Sequence, residues 1–188
     1  MDNEIGSDER MNIQVLYVSK TGNTEKIAKE IYRALPSCSK DIKELESAMG
    51  SYLADLYFIG FWVNRGTANV EVLDFLSGLS GKKIAFFATC GMGNSPEYYR
   101  AIEQNVLAFL PDGNDYLGSF FCQGKMPMRV RQKYEQMMTD SNQSQMERMI
   151  QNFDNALLHP SRQDLEDASA FARRIFSSVQ QTFQEAES

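Results

Sequence analysis

The sequence predicts an α/β fold, an open parallel sheet wound with helices on both faces. Short β-rich runs alternate along the chain with segments of helical period. Residues 56–61 (LYFIGF) and 83–88 (KIAFFA) are continuous apolar runs, the pattern of parallel strands covered on both faces. Each right-handed crossover between parallel strands needs a helix to cover the sheet, so the alternation implies layers of helix, sheet and helix.

The elements follow in order. Ile13, Val15, Leu16 and Val18 form a first strand, and Ile27, Ala28, Ile31, Tyr32 and Leu35 then recur at helical spacing until Pro36. A weak second strand is expected over residues 39–42, followed by a poorly patterned stretch. The run 56–61 is the third strand. Val70, Val72, Leu73, Phe75, Leu76 and Leu79 supply the helix between it and the fourth, 83–88. Ser95 as cap and Pro96 in the first turn open a helix carrying Ala101, Ile102, Val106, Phe109 and Leu110. Residues 116–122 read as the fifth strand. A Met- and Gln-rich helical insertion, 129–158, with Met137, Met138, Met146 and Met149, is expected to cover a sheet edge. The last helix shows Leu165, Ala168, Phe171, Ala172, Ile175, Phe176, Val179 and Phe183 along one face. Residues 1–10 are expected to be a disordered extension, leaving 11–188 as one domain.

Composition narrows the function. The chain has 188 residues, 43% hydrophobic and 11% aromatic, which suits one domain with a substantial core. Acids outnumber bases 25 to 19, and no run of Lys and Arg is long enough to follow a phosphate backbone, which argues against nucleic acid. The longest apolar stretch, 56–63, is too short to cross a bilayer, and the N-terminus lacks the basic and apolar regions of a signal peptide. A soluble, cytoplasmic protein is expected. Cys38, Cys90 and Cys122 form no C-x-x-C pair, so they are expected to be reduced thiols at strand ends rather than a disulfide framework or zinc site.

Ligands of doubly wound sheets sit beyond the carboxyl ends of the strands, so the loops there are the ones to search. After the first strand comes Ser19-Lys20-Thr21-Gly22-Asn23-Thr24. A glycine-bearing turn between strand and helix points free N–H groups at one place beside the positive end of the helix dipole, which makes an anion site. The hydroxyls of Ser19, Thr21 and Thr24 and the amide of Asn23 add donors without fixed charge. The alternative is a plain helix cap. Neither G-x-x-x-x-G-K-[ST] nor G-x-G-x-x-G occurs at this turn, which excludes an NTPase P-loop and a dinucleotide fingerprint.

At this point the chain resembles the flavodoxin family. The hexapeptide matches that family's phosphate loop, [ST]-x-T-G-x-T, at every specified position. Asp55-Leu-Tyr-Phe-Ile-Gly60 resembles its third strand, Phe120-Phe-Cys-Gln-Gly-Lys125 a fifth strand, and His159-Pro-Ser-Arg-Gln-Asp-Leu165 the approach to its last helix. The likeness spans about residues 11–182. It implies a flavodoxin-like three-layer α/β/α sandwich, a five-stranded parallel sheet of order 2-1-3-4-5, and bound FMN. More narrowly, the chain resembles flavodoxin-like proteins associated with bacterial bilirubin reductases.

The residues suit a flavin. The only tryptophan, Trp62, ends the third strand and is followed by Val63, Asn64, Arg65 and Gly66; an aromatic face held there is a stacking partner for a flat ring. The loop Thr89-Cys90-Gly91-Met92-Gly93-Asn94-Ser95 has glycines that permit close backbone approach. Tyr98 or Tyr99 could stack on the second ring face or simply pack in the helix. Arg65 is either a cation beside the ring, favouring its anionic reduced form, or a solvated loop residue. Gly66 is a candidate for a peptide that reorients on reduction. His159 reads as a structural turn residue. No general acid or base and no second cofactor motif stands out. The expectation is therefore an electron carrier passing electrons to a partner redox enzyme, its net charge steering it toward basic surfaces. A stand-alone FMN-dependent NAD(P)H oxidoreductase is the alternative. A two-component receiver domain, which would need clustered acids after the first strand, is excluded by Ser19-Lys20.

Overall fold

The computed structural model describes residues 11–37, 39–48, 53–93 and 95–186. The expected extension at 1–10 and Cys38 lie outside the described residues. Five parallel strands, β1 (Asn12–Tyr17), β2 (Ser39–Glu44), β3 (Leu56–Trp62), β4 (Lys83–Cys90) and β5 (Asp115–Gln123), form one sheet of order β2-β1-β3-β4-β5. Among the described residues the α-helices are α1 (Asn23–Ala34), α2 (Val70–Ser77), α3 (Pro96–Leu107), α4 (Met128–Met137), α5 (Gln143–Ala156) and α6 (Arg162–Ala186).

The sheet alternates its side chains between two cores, as the two-residue period of a strand requires. On one face Ile13, Val15, Phe58 and Phe87 pack with Ile27 and Ile31 of α1 and Phe171, Ala172 and Ile175 of α6. On the other, Leu16, Tyr57, Ile59, Phe61 and Phe86 pack with Val72, Phe75 and Leu76 of α2 and Ile102 and Val106 of α3. The central strands β3 and β4 are buried along nearly their whole length, the reason for their continuous apolar runs. Strand β2 lies at an edge with half-buried or exposed side chains, which explains its weak signal. It runs on to Glu44, and a short 3-10 turn, Leu45–Ala48, follows it.

Local signals place the helix starts. Ser95 accepts the Tyr98 N–H at 3.1 Å, with Pro96 in the first turn of α3. At α6, Ser161 Oγ accepts the Asp164 N–H at 3.2 Å while Asp164 Oδ2 accepts the Ser161 N–H at 2.5 Å, a reciprocal cap. Asp164 also meets His159 Nδ1 at 2.6 Å, a turn contact.

The Met-rich segment departs from expectation. It forms the helix pair α4 and α5, joined by Arg131, which donates to Glu135 at 2.6 Å and Asp154 at 3.1 Å. Its polar anchor is Asn152, which accepts from Gln123 Nε2 at 3.1 Å and the Gly93 N–H at 3.2 Å and donates to the Gly91 carbonyl at 2.8 Å. Those partners lie at the carboxyl ends of β4 and β5. The edge strand β5 stays half-exposed until Cys122 and Gln123, so the pair covers the end of the sheet rather than its side. Among the described residues, no helix is long and apolar enough to cross a membrane.

Candidate functional site

The loops after β1, β3, β4 and β5 meet around a cavity of about 380 Å³, within the roughly 300–1,000 Å³ range of small-molecule sites.

The first loop carries the donors that an anion would need. Gly22 holds a left-handed conformation, φ +81°, and Ser19 Oγ accepts the Glu25 N–H at 3.2 Å, capping α1. The N–H groups of Lys20, Thr21 and Gly22 have no acceptor among the described residues, and they lie at the positive end of α1. Asn23 donates to Thr21 Oγ1 at 3.0 Å and to the Lys125 carbonyl at 2.9 Å. Thr21 Oγ1 thereby accepts from Asn23 and keeps its own proton for a ligand. The Asn23 Oδ1 is buried with no partner, an acceptor suited to a ligand hydroxyl.

The third-strand loop supplies a flat face. Trp62 is half-buried and lines the cavity, with Lys20 Nζ 5.2 Å from its ring centroid. Asn64 and Thr67 exchange backbone hydrogen bonds of 2.8 and 3.2 Å around Arg65, φ +52°, and Gly66, φ +82°. Two consecutive left-handed residues make a tight turn of the I′ type. For Arg65, whose Cβ crowds the following carbonyl, that conformation is strained. Asn105 on α3 donates to the Gly66 carbonyl at 2.9 Å and holds the turn in place.

The fourth loop is held from behind. Burial pushes the Cys90 thiol up to about 12. Tyr99, half-buried, stacks on Phe121 with ring centroids 5.1 Å apart and donates to the Gly93 carbonyl at 3.3 Å, which holds its ring against β5 and out of the cavity lining. Tyr98 lines the cavity.

The fifth-strand loop, Gly124, Lys125, Met126 and Pro127, with Arg129 and Val130 of α4, closes the remaining side; sequence reasoning left these residues out. A Cβ on Gly124 would come within 2.7 Å of Asn23 Nδ2, and one on Gly91 within 2.5 Å of the Met126 side chain. Both glycines therefore allow loops distant in sequence to close on one another. The rule that doubly wound sheets bind at strand ends was the available signal, since this loop also leaves a strand's carboxyl end.

Lys20, Thr21, Asn23, Trp62, Val63, Arg65, Gly66, Thr89, Cys90, Gly91 and Met92, all read from the sequence as site residues, line the cavity together. Ser19, Gly22, Thr24, Asn64 and Gly93 do not. Ser19 caps α1, Gly22 and Asn64 shape turns, Thr24 is bonded to Thr89, and Gly93 is held by Asn152 and Tyr99. An anion seat at one end and an aromatic and aliphatic slot at the other suit a phosphorylated, flat, hydroxyl-bearing molecule. Among the described residues no cluster of His, Cys, Asp and Glu could hold a metal ion.

A family model described as the flavodoxin domain matches residues 14–173. The chain belongs to the flavodoxin family. It is 33% identical over 170 residues to the flavodoxin-like domain-containing protein BilS of Clostridioides difficile strain CD3, covering 88% of this chain and 96% of that one. A protein of the same description from Clostridium symbiosum is 31% identical over 187 residues, covering 90% and 96%. Among solved structures, oxidised flavodoxin 2 from Bacillus cereus matches with TM-score 0.55 at 18% identity, over 89% of this chain and 99% of that one. That last likeness is one of fold, and the flavodoxin strand order expected from the sequence is the order observed.

Proposed function

We propose that the chain binds one FMN noncovalently in this cavity and carries electrons from a cellular reductase to a separate redox enzyme. The observation that carries the reading is the joining, in one cavity, of unpaired N–H groups at the α1 N-terminus to the Trp62 face. The phosphate fits beside Lys20 and Thr21 in the turn that Gly22 shapes, a ribityl hydroxyl fits Asn23 Oδ1, and the ring fits against Trp62 among Val63, Met92, Met126 and Val130. FMN supplies the redox chemistry. The residues named would hold it, and Arg65 lines the same cavity.

Among the described residues, no Asp, Glu or His lines the cavity, which favours a carrier over an enzyme needing a proton donor at the ring. The resemblance to flavodoxin-like proteins associated with bilirubin reductases points to a tetrapyrrole reductase as acceptor, in the cytoplasm. Reconstitution with FMN followed by absorbance and fluorescence titration tests the binding. Stopped-flow mixing of photoreduced holoprotein with a bilirubin reductase tests the role; rapid oxidation of NADH or NADPH by this protein alone would establish the stand-alone oxidoreductase instead.

A further inference from the structure

We infer that the mouth of the cavity docks an acidic surface of a protein redox partner, an inference that rests on the electron-carrier reading above. Arg65, Lys125 and Arg129 line the cavity, as does Lys20, which stands at the proposed phosphate seat and is not counted as a docking charge. Lys133 lines a groove of about 470 Å³ between α4 and α5, and Arg148 lines a polar hollow of about 450 Å³ beside α5. None of these cations makes an ion pair among the described residues, and no described carboxylate lines any of the three concavities. The carboxylates of the helix pair lie outside these linings: Glu135 and Asp154 share Arg131, and Glu147 accepts from the neutral amide of Gln143.

A chain of net charge −6 thus gathers unpaired positive charge on the face where the flavin would be reached. Steering of an encounter follows the field at the docking face, not the net charge of the molecule. The sign read from composition, which favoured basic partners, is therefore reversed locally.

The apolar part fits the same partner. The α4–α5 groove is lined by Val130, Tyr134, Met137, Met146 and Met149 and shares Arg129 and Val130 with the cavity, so a body seated there abuts the ring site. Met128 and Met137 are half-exposed and Leu158 is 77% exposed. Flexible thioethers inside a charged rim make an adaptable docking centre. The charges span the cavity and the groove that shares Arg129 and Val130 with it, with Arg148 further along α5, a footprint for a protein surface rather than for one small molecule.

The test mixes photoreduced FMN holoprotein with two ferric probes, cytochrome b5, whose haem edge is ringed by carboxylates, and cytochrome c, whose edge is ringed by lysines. Overall, FMNH2 reduces two ferric haems to ferrous haems and releases two protons, returning FMN. Ionic strengths of about 0.01 and 0.15 M give screening lengths of about 30 and 8 Å. Cytochrome b5 reduction should be faster by about tenfold or more at the lower salt, and cytochrome c should show no such gain. K133E and R148E, outside the flavin cavity, should each slow cytochrome b5 several-fold at low salt and leave FMN affinity unchanged. As a readout independent of turnover, cytochrome b5 should shift holoprotein amide resonances on α4 and α5, and the shifts should fade with salt. Preference for cytochrome c at low salt, or rates to cytochrome b5 indifferent to salt and to both variants, would overturn the inference while leaving the carrier role intact. Failure to reduce either cytochrome would overturn the carrier reading and the inference with it. If the variants instead lose only binding of mesoporphyrin IX, an apolar dicarboxylate, the groove belongs to a small ligand and the docking reading falls.

Discussion

The hydroxyls of Thr24 and Thr89 meet at 2.9 Å inside the protein, tying the first turn of α1 to the end of β4. Both residues are buried. Thr24→Val should leave the Thr89 hydroxyl short of a partner and lower stability by about 1–3 kcal/mol in urea denaturation. Adding Thr89→Val should cost less than a second equal loss, because the two hydroxyls satisfy each other. Additive losses would show that the pair is not coupled.

Thr21 has a different role, since its proton is free for a ligand. Thr21→Val should weaken FMN by about 1.5–3 kcal/mol, the value of a hydrogen bond to a charged group, and leave riboflavin nearly unaffected. Parallel fluorescence titrations with the two flavins make the comparison. Equal losses would place the phosphate elsewhere.

The chain's only tryptophan lines the proposed ring slot, so FMN binding should quench its fluorescence. Trp62→Phe should retain most of the affinity, whereas Trp62→Ala should lose at least about 0.5–1.5 kcal/mol of stacking. Undiminished tryptophan emission in the FMN-saturated protein would argue against contact between the ring and Trp62.

Arg65 sits at φ +52°, where asparagine is better tolerated. Arg65→Asn should raise stability by up to about 1 kcal/mol and, by removing a cation near the flavin, lower the potential of the second electron. Thermal unfolding and a spectroelectrochemical titration read the two effects separately. An unchanged potential would mean that the guanidinium is solvated and away from the ring.

Burial raises the thiols of Cys90 and Cys122 and the phenols of Tyr99 and Tyr116. For Cys90 the ordinary value is 9.0 and the folded one about 12. Between these the unfolded chain gives up a proton that the folded protein keeps, so stability should fall as pH rises from about 9 toward 12. Denaturation midpoints across that window test the sign. In the same folded state at pH 8, Cys90 should resist iodoacetamide that labels it rapidly once the protein is unfolded.

What the sequence by itself determined was whatever leaves a local trace. The alternation of periods 2 and 3.6 identified the elements, because β3 and β4 are buried on both faces and α6 on one. The hexapeptide at residues 19–24 marked the candidate anion seat, because a strand-to-helix turn needs its glycine and free N–H groups within a few positions. Only the tertiary structure decided which side chains face the ligand and which support it. Thr24 turns to Thr89, 65 residues away, and Asn23 reaches the Lys125 carbonyl across 102. The fifth loop, the docking of α5 through Asn152 and the meeting of Lys20, Arg65, Lys125 and Arg129 around one cavity are likewise products of sheet order. A parallel sheet brings every strand's carboxyl end to one side, and the distances between loops there bear no relation to their spacing along the chain.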